Sequence, residues 1–154
     1  MNNVKKLIPF LNAPYCVDGL LSWTCTPCLN YKGTSNISLI GNENDVFGYA
    51  AVHLTSKMLI FSFRGTRNLK NWIRNLMIAK PNAPFPSAPA NAKIHYGFLA
   101  DYQKISVQFL DVFQKYVKEF PDFDIKIIGH SLGGALALLA SVDLITQNLL
   151  VSPD

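Results

Sequence analysis

A serine between two glycines is the clearest chemical feature of the sequence. Gly129, Ser131 and Gly133 have the Gly-x-Ser-x-Gly spacing of a nucleophile elbow, a sharp turn that lifts a serine hydroxyl above the end of a strand. An apolar run before the motif predicts that strand, and an apolar run after it predicts the helix that must follow. Side chains at positions 129 and 133 would collide in so tight a turn, and a glycine-rich turn without chemistry is the alternative interpretation. We predict that Ser131 is a nucleophile on a strained turn.

A serine hydroxyl is a weak nucleophile unless a base removes its proton and an acid orients that base. In proteins with this elbow the chain order is serine, then aspartate or glutamate, then histidine. The sequence after Ser131 contains Asp143, Asp154 and no histidine. Asp143 falls inside the predicted helix, where it cannot reach the serine. We therefore expect residues 1–154 to be nearly inert alone, with His53 or His95 as the candidate bases if they are active.

The elements that must position Ser131 follow from hydrophobic periodicity. Residues 47–53 and 58–63 predict two strands joined by a hairpin connection. A long helix follows, with apolar residues at a 3.6-residue period from Tyr102 to Phe120, and Pro121 ends it. A strand at 124–128 and a helix from Leu132 to about residue 149 complete the chain. This alternation predicts a single α/β domain over residues 1–154 with a largely parallel sheet.

Composition excludes several classes of protein. Of the 154 residues 49% are hydrophobic and 16% are charged, against about 25% charged in ordinary domains, which excludes intrinsic disorder. No uncharged apolar run has the roughly 18 residues of a membrane-spanning helix. The formal charge of +4 is spread along the chain rather than concentrated in a basic stripe, which argues against nucleic acid as a partner.

Three cysteines raise the questions of metal binding and cellular compartment. Cys25 and Cys28 form a Cys-x-x-Cys pair, but no second ligand pair has zinc spacing, so we predict no metal site. A local Cys25–Cys28 disulfide is favoured instead, and Cys16 then needs a partner that the sequence does not contain. Cysteine usage favours an oxidising compartment, although we interpret residues 1–11 as the first element of the fold rather than as a signal peptide.

One segment has the pattern of a lipid-facing helix. Basic residues at positions 67, 70 and 74 lie opposite an apolar face. That face consists of Leu69, Trp72, Ile73 and Leu76. A basic amphipathic helix is typical of a segment at a lipid–water boundary. A surface helix that packs its apolar face on the core fits the same pattern equally well.

Four motifs lie in order along the sequence: Cys16 and Cys25-x-x-Cys28 with Trp23; Phe63-Arg64-Gly65-Thr66 followed by Asn71-Trp72-Ile73-Arg74-Asn75-Leu76; His95-x-Gly97-Phe98; and Gly129-His130-Ser131-Leu132-Gly133-Gly134. Together they resemble the class 3 lipases, the fungal-type triacylglycerol lipases with the α/β-hydrolase fold. The resemblance spans nearly the whole chain. The later strands, acid and histidine of the family have no counterpart here, so we expect the fold to be incomplete after the elbow helix, as in the N-terminal part of a longer lipase.

The resemblance implies a role for each matching position. Ser131 is implied as the acyl-accepting nucleophile, and Thr66 and Leu132 as the oxyanion hole. Residues 68–76 are implied as a lid, and His95 and His130 as structural neighbours of the site. In related lipases the first cysteine is bound to one near the distant C-terminus, which gives the odd cysteine of this sequence a partner outside it.

The resulting functional hypothesis is hydrolysis of a carboxylic ester, above all a glycerolipid, at a lipid–water interface. No metal or organic cofactor is implied, protein partners stay unknown, and the family and the cysteines favour secretion. Two alternatives stay open. One is a catalytically dead protein that binds lipid interfaces through residues 69–76, and the other is an esterase of different specificity, such as a feruloyl esterase or a phospholipase.

Overall fold

In the part of the chain that the structure describes, four strands form one sheet with helices on both faces. The computed structural model describes residues 5–16, 18–66, 80–85 and 91–150. The strands are β1 (Thr34–Gly41), β2 (Phe47–His53), β3 (Met58–Phe63) and β4 (Asp124–Gly129), and they lie side by side in that order. The helices are α1 (Ile8–Asn12), α2 (Tyr96–Glu119) and α3 (Leu132–Thr146), with short 3-10 turns at Lys5–Leu7, Ala13–Tyr15 and Cys28–Asn30.

The predicted α/β class is confirmed, but the described part of the sheet is mixed rather than mostly parallel. β1 pairs with β2, and β2 with β3, in antiparallel fashion, whereas β3 and β4 are parallel. The connection between β2 and β3 has four residues, which permits a hairpin and is far too short for a crossover. The connection from β3 to β4 contains α2 and is long enough for a parallel pair. α3 ends at Thr146, three residues before the predicted boundary.

Alternating side chains of the central strands supply two cores. Phe61 and Phe63 of β3 pack under α2 and α3, where the Phe61 ring lies 5.2 Å from the ring of Phe113. Ile60 and Tyr49 face the opposite side, which the N-terminal segment (residues 5–16 and 18–31) covers. β2 is buried along its whole length, as expected for a strand covered on both faces. The sheet is therefore the middle layer of three.

The N-terminal segment is attached to the sheet through one buried carbonyl. The hydroxyls of Tyr49 and Ser62 both donate to the carbonyl oxygen of Phe10, at 3.0 and 2.9 Å. Cys25 and Cys28 are joined as a disulfide on the same side of the sheet, with their Cα atoms 5.0 Å apart. Among the described residues, no helix combines the length and the apolar character needed to cross a bilayer.

Candidate active site

Ser131 occupies a strained turn between β4 and α3. Its backbone angles are φ 58° and ψ −123°, a region that serine rarely adopts, and its side chain is exposed. A Cβ atom added at Gly129 would lie 2.0 Å from the carbonyl oxygen of Gly133. One added at Gly133 would lie 2.1 Å from the carbonyl oxygen of Phe63. The prediction that both positions require glycine is confirmed.

Helix α3 begins immediately after Ser131 and brings backbone amides to the site. The amides of Gly133 and Gly134 donate to the carbonyls of His130 and Ser131, at 3.0 and 2.9 Å. The first amide of a helix, here that of Leu132, has no intrahelical acceptor, and the helix dipole places partial positive charge at this end. Negative charge developing beside Ser131 would therefore be stabilised.

The segment that follows β3 lies against the elbow. Phe63 pairs with Gly129, so the next residues of both strands lie side by side at one edge of the sheet. A Cβ atom added at Gly65 would lie 2.7 Å from the carbonyl oxygen of His130 and 3.5 Å from the Cβ of Ser131. The neighbouring Thr66 is half-exposed. Its implied role in the oxyanion hole stays a prediction.

Contacts of Arg64 and Gly65 fix the position of this segment, residues 64–66, which we call the oxyanion segment after the role expected of Thr66. The buried guanidinium of Arg64 lies 5.1 Å from the centre of the Phe47 ring, and the Arg64 amide donates to the Phe47 carbonyl at 2.8 Å. The amide of Gly65 donates to the hydroxyl of Tyr15 at 2.9 Å. Sequence reasoning missed Tyr15, because a contact across fifty residues leaves no local pattern.

His53 lies at the wrong end of the sheet to serve Ser131. It pairs with Met58, which in turn pairs with Asp124 at the start of β4. Five residues of strand, about 16 Å, separate Asp124 from Gly129. Burial lowers the pKa of the His53 imidazole, and its Nδ1 accepts from the amide of Ser56 at 3.3 Å. These features describe a structural histidine.

The other two candidate groups also have structural contacts. His95 caps the N-terminus of α2, where its Nδ1 accepts from the Gly97 amide at 3.2 Å. Asp143 accepts from the Tyr102 hydroxyl at 2.6 Å and lies twelve residues along α3 from Ser131, about 18 Å away on an ideal helix. The expectation that Asp143 does not reach the serine is confirmed.

Several predicted features lie outside the described part of the chain. The implied lid and its lipid-contact residues fall there: Leu69, Trp72, Ile73 and Leu76.

Within residues 5–16, 18–66, 80–85 and 91–150, no group of three or more histidine, cysteine, aspartate or glutamate side chains is placed to hold a metal ion. Cys16 is not disulfide-bonded.

The sequence is similar to a known family and to characterised proteins. Residues 60–153 match the family model described as Lipase (class 3). The lipase of Rhizopus niveus is 30% identical over 136 residues, which is 85% of this chain and 33% of that protein. The secreted mono- and diacylglycerol lipase A of Penicillium camembertii is 28% identical over 65% of this chain and 32% of its own length. The chain thus spans about a third of the length of these curated relatives.

Solved structures show the same similarity in three dimensions. The lipase from Rhizopus microsporus var. chinensis superimposes with a TM-score of 0.83 and 28% identity, over 97% of this chain and 54% of that one. A triacylglycerol lipase whose catalytic centre is formed by a serine protease triad superimposes with a TM-score of 0.79 and 26% identity, over 94% of this chain and 56% of that one. These structures have the α/β-hydrolase fold.

Proposed function

The chain belongs to the class 3 lipase family, and from this premise we propose that it acts as a serine carboxylic-ester hydrolase with Ser131 as its nucleophile. The observation that carries the proposal is the conformation of Ser131, φ 58° and ψ −123°, at the junction of β4 and α3. Such strain persists only where the surroundings enforce it, and it is characteristic of functional positions. Here the glycines at 129 and 133 and the adjacent oxyanion segment enforce it.

The proposed reaction has two acyl transfers. Ser131 Oγ attacks the ester carbonyl carbon while a base accepts the hydroxyl proton, and the carbonyl oxygen becomes an oxyanion. The Leu132 amide, together with the amide and hydroxyl of Thr66, would donate to that oxyanion, and a single such donor contributes about 10²–10³ in rate. The C–O bond to the alcohol then breaks as the alcohol takes up a proton. Water hydrolyses the acyl-serine by the reverse sequence.

We propose that the base and its orienting acid come from sequence outside residues 1–154. His53, at the end of β2, is level with the start of β4, at the opposite end of that strand from Ser131. His95 caps α2. Asp143 is bonded to Tyr102. The similar triacylglycerol lipase uses a serine protease triad, which requires a histidine and a carboxylate. Residues 1–154 would hold the nucleophile and the oxyanion hole, and would be nearly inert alone.

The proposed substrate is an ester at a lipid–water interface, with a glycerolipid as the natural class. The names of the similar proteins, a mono- and diacylglycerol lipase and a triacylglycerol lipase, support this class. The basic amphipathic pattern of residues 67–76 supports a lid that contacts lipid. The Cys25–Cys28 disulfide supports secretion, because disulfides persist in oxidising compartments.

A covalent probe tests the nucleophile and the oxyanion hole that we propose for residues 1–154. A p-nitrophenyl phosphonate, with imidazole added as an external base, mimics the tetrahedral intermediate and phosphonylates a positioned serine. We expect mass spectrometry to place one adduct on Ser131 and to find none in Ser131→Ala. Ser141→Ala is the matched control, since Ser141 lies in α3, the helix that follows Ser131, and donates to the Ala137 carbonyl at 2.8 Å. A folded wild-type protein that leaves Ser131 unlabelled would refute the proposal.

Ester hydrolysis measured without imidazole tests separately whether residues 1–154 contain a catalytic base of their own. We expect residues 1–154 to show no Ser131-dependent hydrolysis of a soluble short-chain p-nitrophenyl ester. Robust turnover that Ser131→Ala abolishes would instead require a base among the three histidines of this sequence. His95→Ala and His53→Ala would then identify it.

A further inference from the structure

The hydroxyl of Tyr15 meets the oxyanion segment where that segment touches the elbow. It accepts from the Gly65 amide at 2.9 Å. A Cβ atom added at Gly65 would lie 2.7 Å from this hydroxyl oxygen, 2.7 Å from the His130 carbonyl oxygen and 3.5 Å from the Ser131 Cβ. The phenol, the glycine and the nucleophile turn therefore surround one small space that has no room for a side chain.

We propose that Tyr15 is a positioning residue for ester hydrolysis, which holds the Gly65 amide and thereby sets the oxyanion segment at its working distance from Ser131. This proposal rests on the proposed function of Ser131. Tyr15 acts through Gly65 and the adjacent Thr66, rather than on the reacting atoms themselves. Its contribution is to keep the amides still while charge develops on the substrate.

Contacts of the N-terminal segment with the sheet hold Tyr15 in position. Phe10, five residues earlier, is fully buried, and its carbonyl accepts from the hydroxyls of Tyr49 in β2 and Ser62 in β3. Its ring lies 4.6 Å from the ring of Tyr31. The 3-10 turn that ends at Tyr15 is closed by the bond from the Cys16 amide to the Ala13 carbonyl at 3.0 Å. A bonded path thus runs from the sheet through the N-terminal segment to the oxyanion segment.

The oxyanion segment needs this support because Gly65 has no side chain to fix it. Strand pairing of β3 with β4 ends at Phe63 and Gly129. Arg64 is bonded to Phe47, and the next backbone contact is the one to Tyr15. Oxyanion stabilisation depends on donors that are already in place, and a misplacement of about 1 Å can cost about 10²-fold in rate. Loss of the Tyr15 contact, with the contacts of Arg64 retained, predicts a smaller effect, of about tenfold.

The test measures the rate at which the phosphonate probe labels Ser131 as a function of probe concentration. Tyr15→Phe keeps the ring and removes only the hydroxyl. We expect the maximal labelling rate to fall about tenfold, with the half-saturating concentration of the probe within about twofold of wild type. Tyr96→Phe makes the same chemical change at an exposed tyrosine on α2 and should label at the wild-type rate.

Amide hydrogen exchange at Gly65 is the second readout, and a general loss of stability does not mimic it. We expect the wild-type Gly65 amide to be protected, and Tyr15→Phe to expose it while the amides of β2 and β3 keep their protection. If Tyr15→Phe does not fold, the exchange rate of the Gly65 amide in the wild-type protein decides. Protection of that amide supports the proposal, and exchange at the rate of an unfolded chain overturns it.

The outcomes separate the two proposals. If wild type is labelled at Ser131 and Tyr15→Phe is labelled equally fast, Tyr15 has no positioning role and the proposed function stands. If wild type is not labelled, the proposed function fails and the role of Tyr15 fails with it.

Discussion

At the scale of single residues, the elbow depends on its two glycines, which have no side chain, as much as on the serine. Gly133→Ala would bring a Cβ atom to 2.1 Å from the Phe63 carbonyl oxygen, a backbone atom that cannot move without separating α3 from β3. We expect the free energy of unfolding in urea to fall by about 2 kcal/mol or more. Gly134→Ala is the matched control, because its nearest neighbour would lie at 3.3 Å. It should stay within about 1 kcal/mol of wild type, and equal losses in both variants would contradict the packing argument.

The elbow could be predicted from sequence because its requirement is local. A strand, two glycines two positions from a serine, and a helix are all visible within about twenty residues. Tyr15 could not be predicted, because nothing near it in sequence indicates that its hydroxyl meets Gly65. The position of Arg64 between the Phe47 ring and the Glu43 carbonyl is likewise a product of the β1–β2 turn folding onto the end of β3.

At the scale of elements, a polar contact joins α2 and α3 within a largely apolar interface. The hydroxyl of the buried Tyr102 donates to the Asp143 carboxylate at 2.6 Å. Tyr102→Phe removes this bond and leaves the carboxylate with its remaining partner, the Gln147 side chain at 2.8 Å. We expect a loss of about 1–3 kcal/mol in the free energy of unfolding at pH 7. Tyr96→Phe, at an exposed site, should change it by less than about 0.5 kcal/mol.

The same contact predicts a dependence on alkaline pH. Burial, together with the hydrogen bond to Asp143 and the charge of that carboxylate, raises the pKa of Tyr102 well above its ordinary value of 10.0. The folded protein keeps the proton while the unfolded chain loses it above about pH 10. The contribution of Tyr102 to stability is thus fully present below pH 10 and is lost as pH rises further. The free energy of unfolding in urea, measured from pH 8 to 11, should fall more steeply for wild type than for Tyr102→Phe. The fall that remains in Tyr102→Phe is due to Tyr49 and Tyr116, whose pKa values burial also raises.

The strands show where sequence patterns suffice and where they do not. β2 and β3 have the predicted boundaries, since both are apolar runs separated by a short polar connection. β1 was not predicted, because its polar residues dominate and a bulge between Ser35 and Ser38, with Asn36 at φ 49°, breaks the alternation. The succession of β3, α2, β4 and α3 predicts a mostly parallel sheet, and the β3–β4 pair is parallel. The short connections before β2 and β3 allow only antiparallel hairpins, so the described sheet is mixed. Pairing direction thus depended on connection length more than on strand composition.

At the scale of the molecule, the two central strands of the described sheet are buried and its two edge strands are largely half-exposed. β2 and β3 are buried on both faces, whereas every described residue of β4 is at least partly exposed. Next to β4, an open cavity of about 380 Å³ is lined mainly by apolar side chains of the first 3-10 turn, α1, β4 and α3. These include Leu7, Leu11, Ile127, Ile128 and Leu138. An apolar surface beside the last strand of a sheet favours association with other chains.

We therefore expect the polypeptide of residues 1–154 to associate through this surface as its concentration rises. Leu138→Glu places a charge there at a side chain that is 66% exposed, so it should shift the species seen by light scattering towards the monomer without lowering stability. Val107→Glu is the matched control, because Val107 is 71% exposed on α2 and does not line the cavity. If both variants reduce association equally, net charge rather than this surface controls it. If wild type is monomeric across the concentration range, the surface beside β4 is compatible with a monomer in solution and the prediction is wrong.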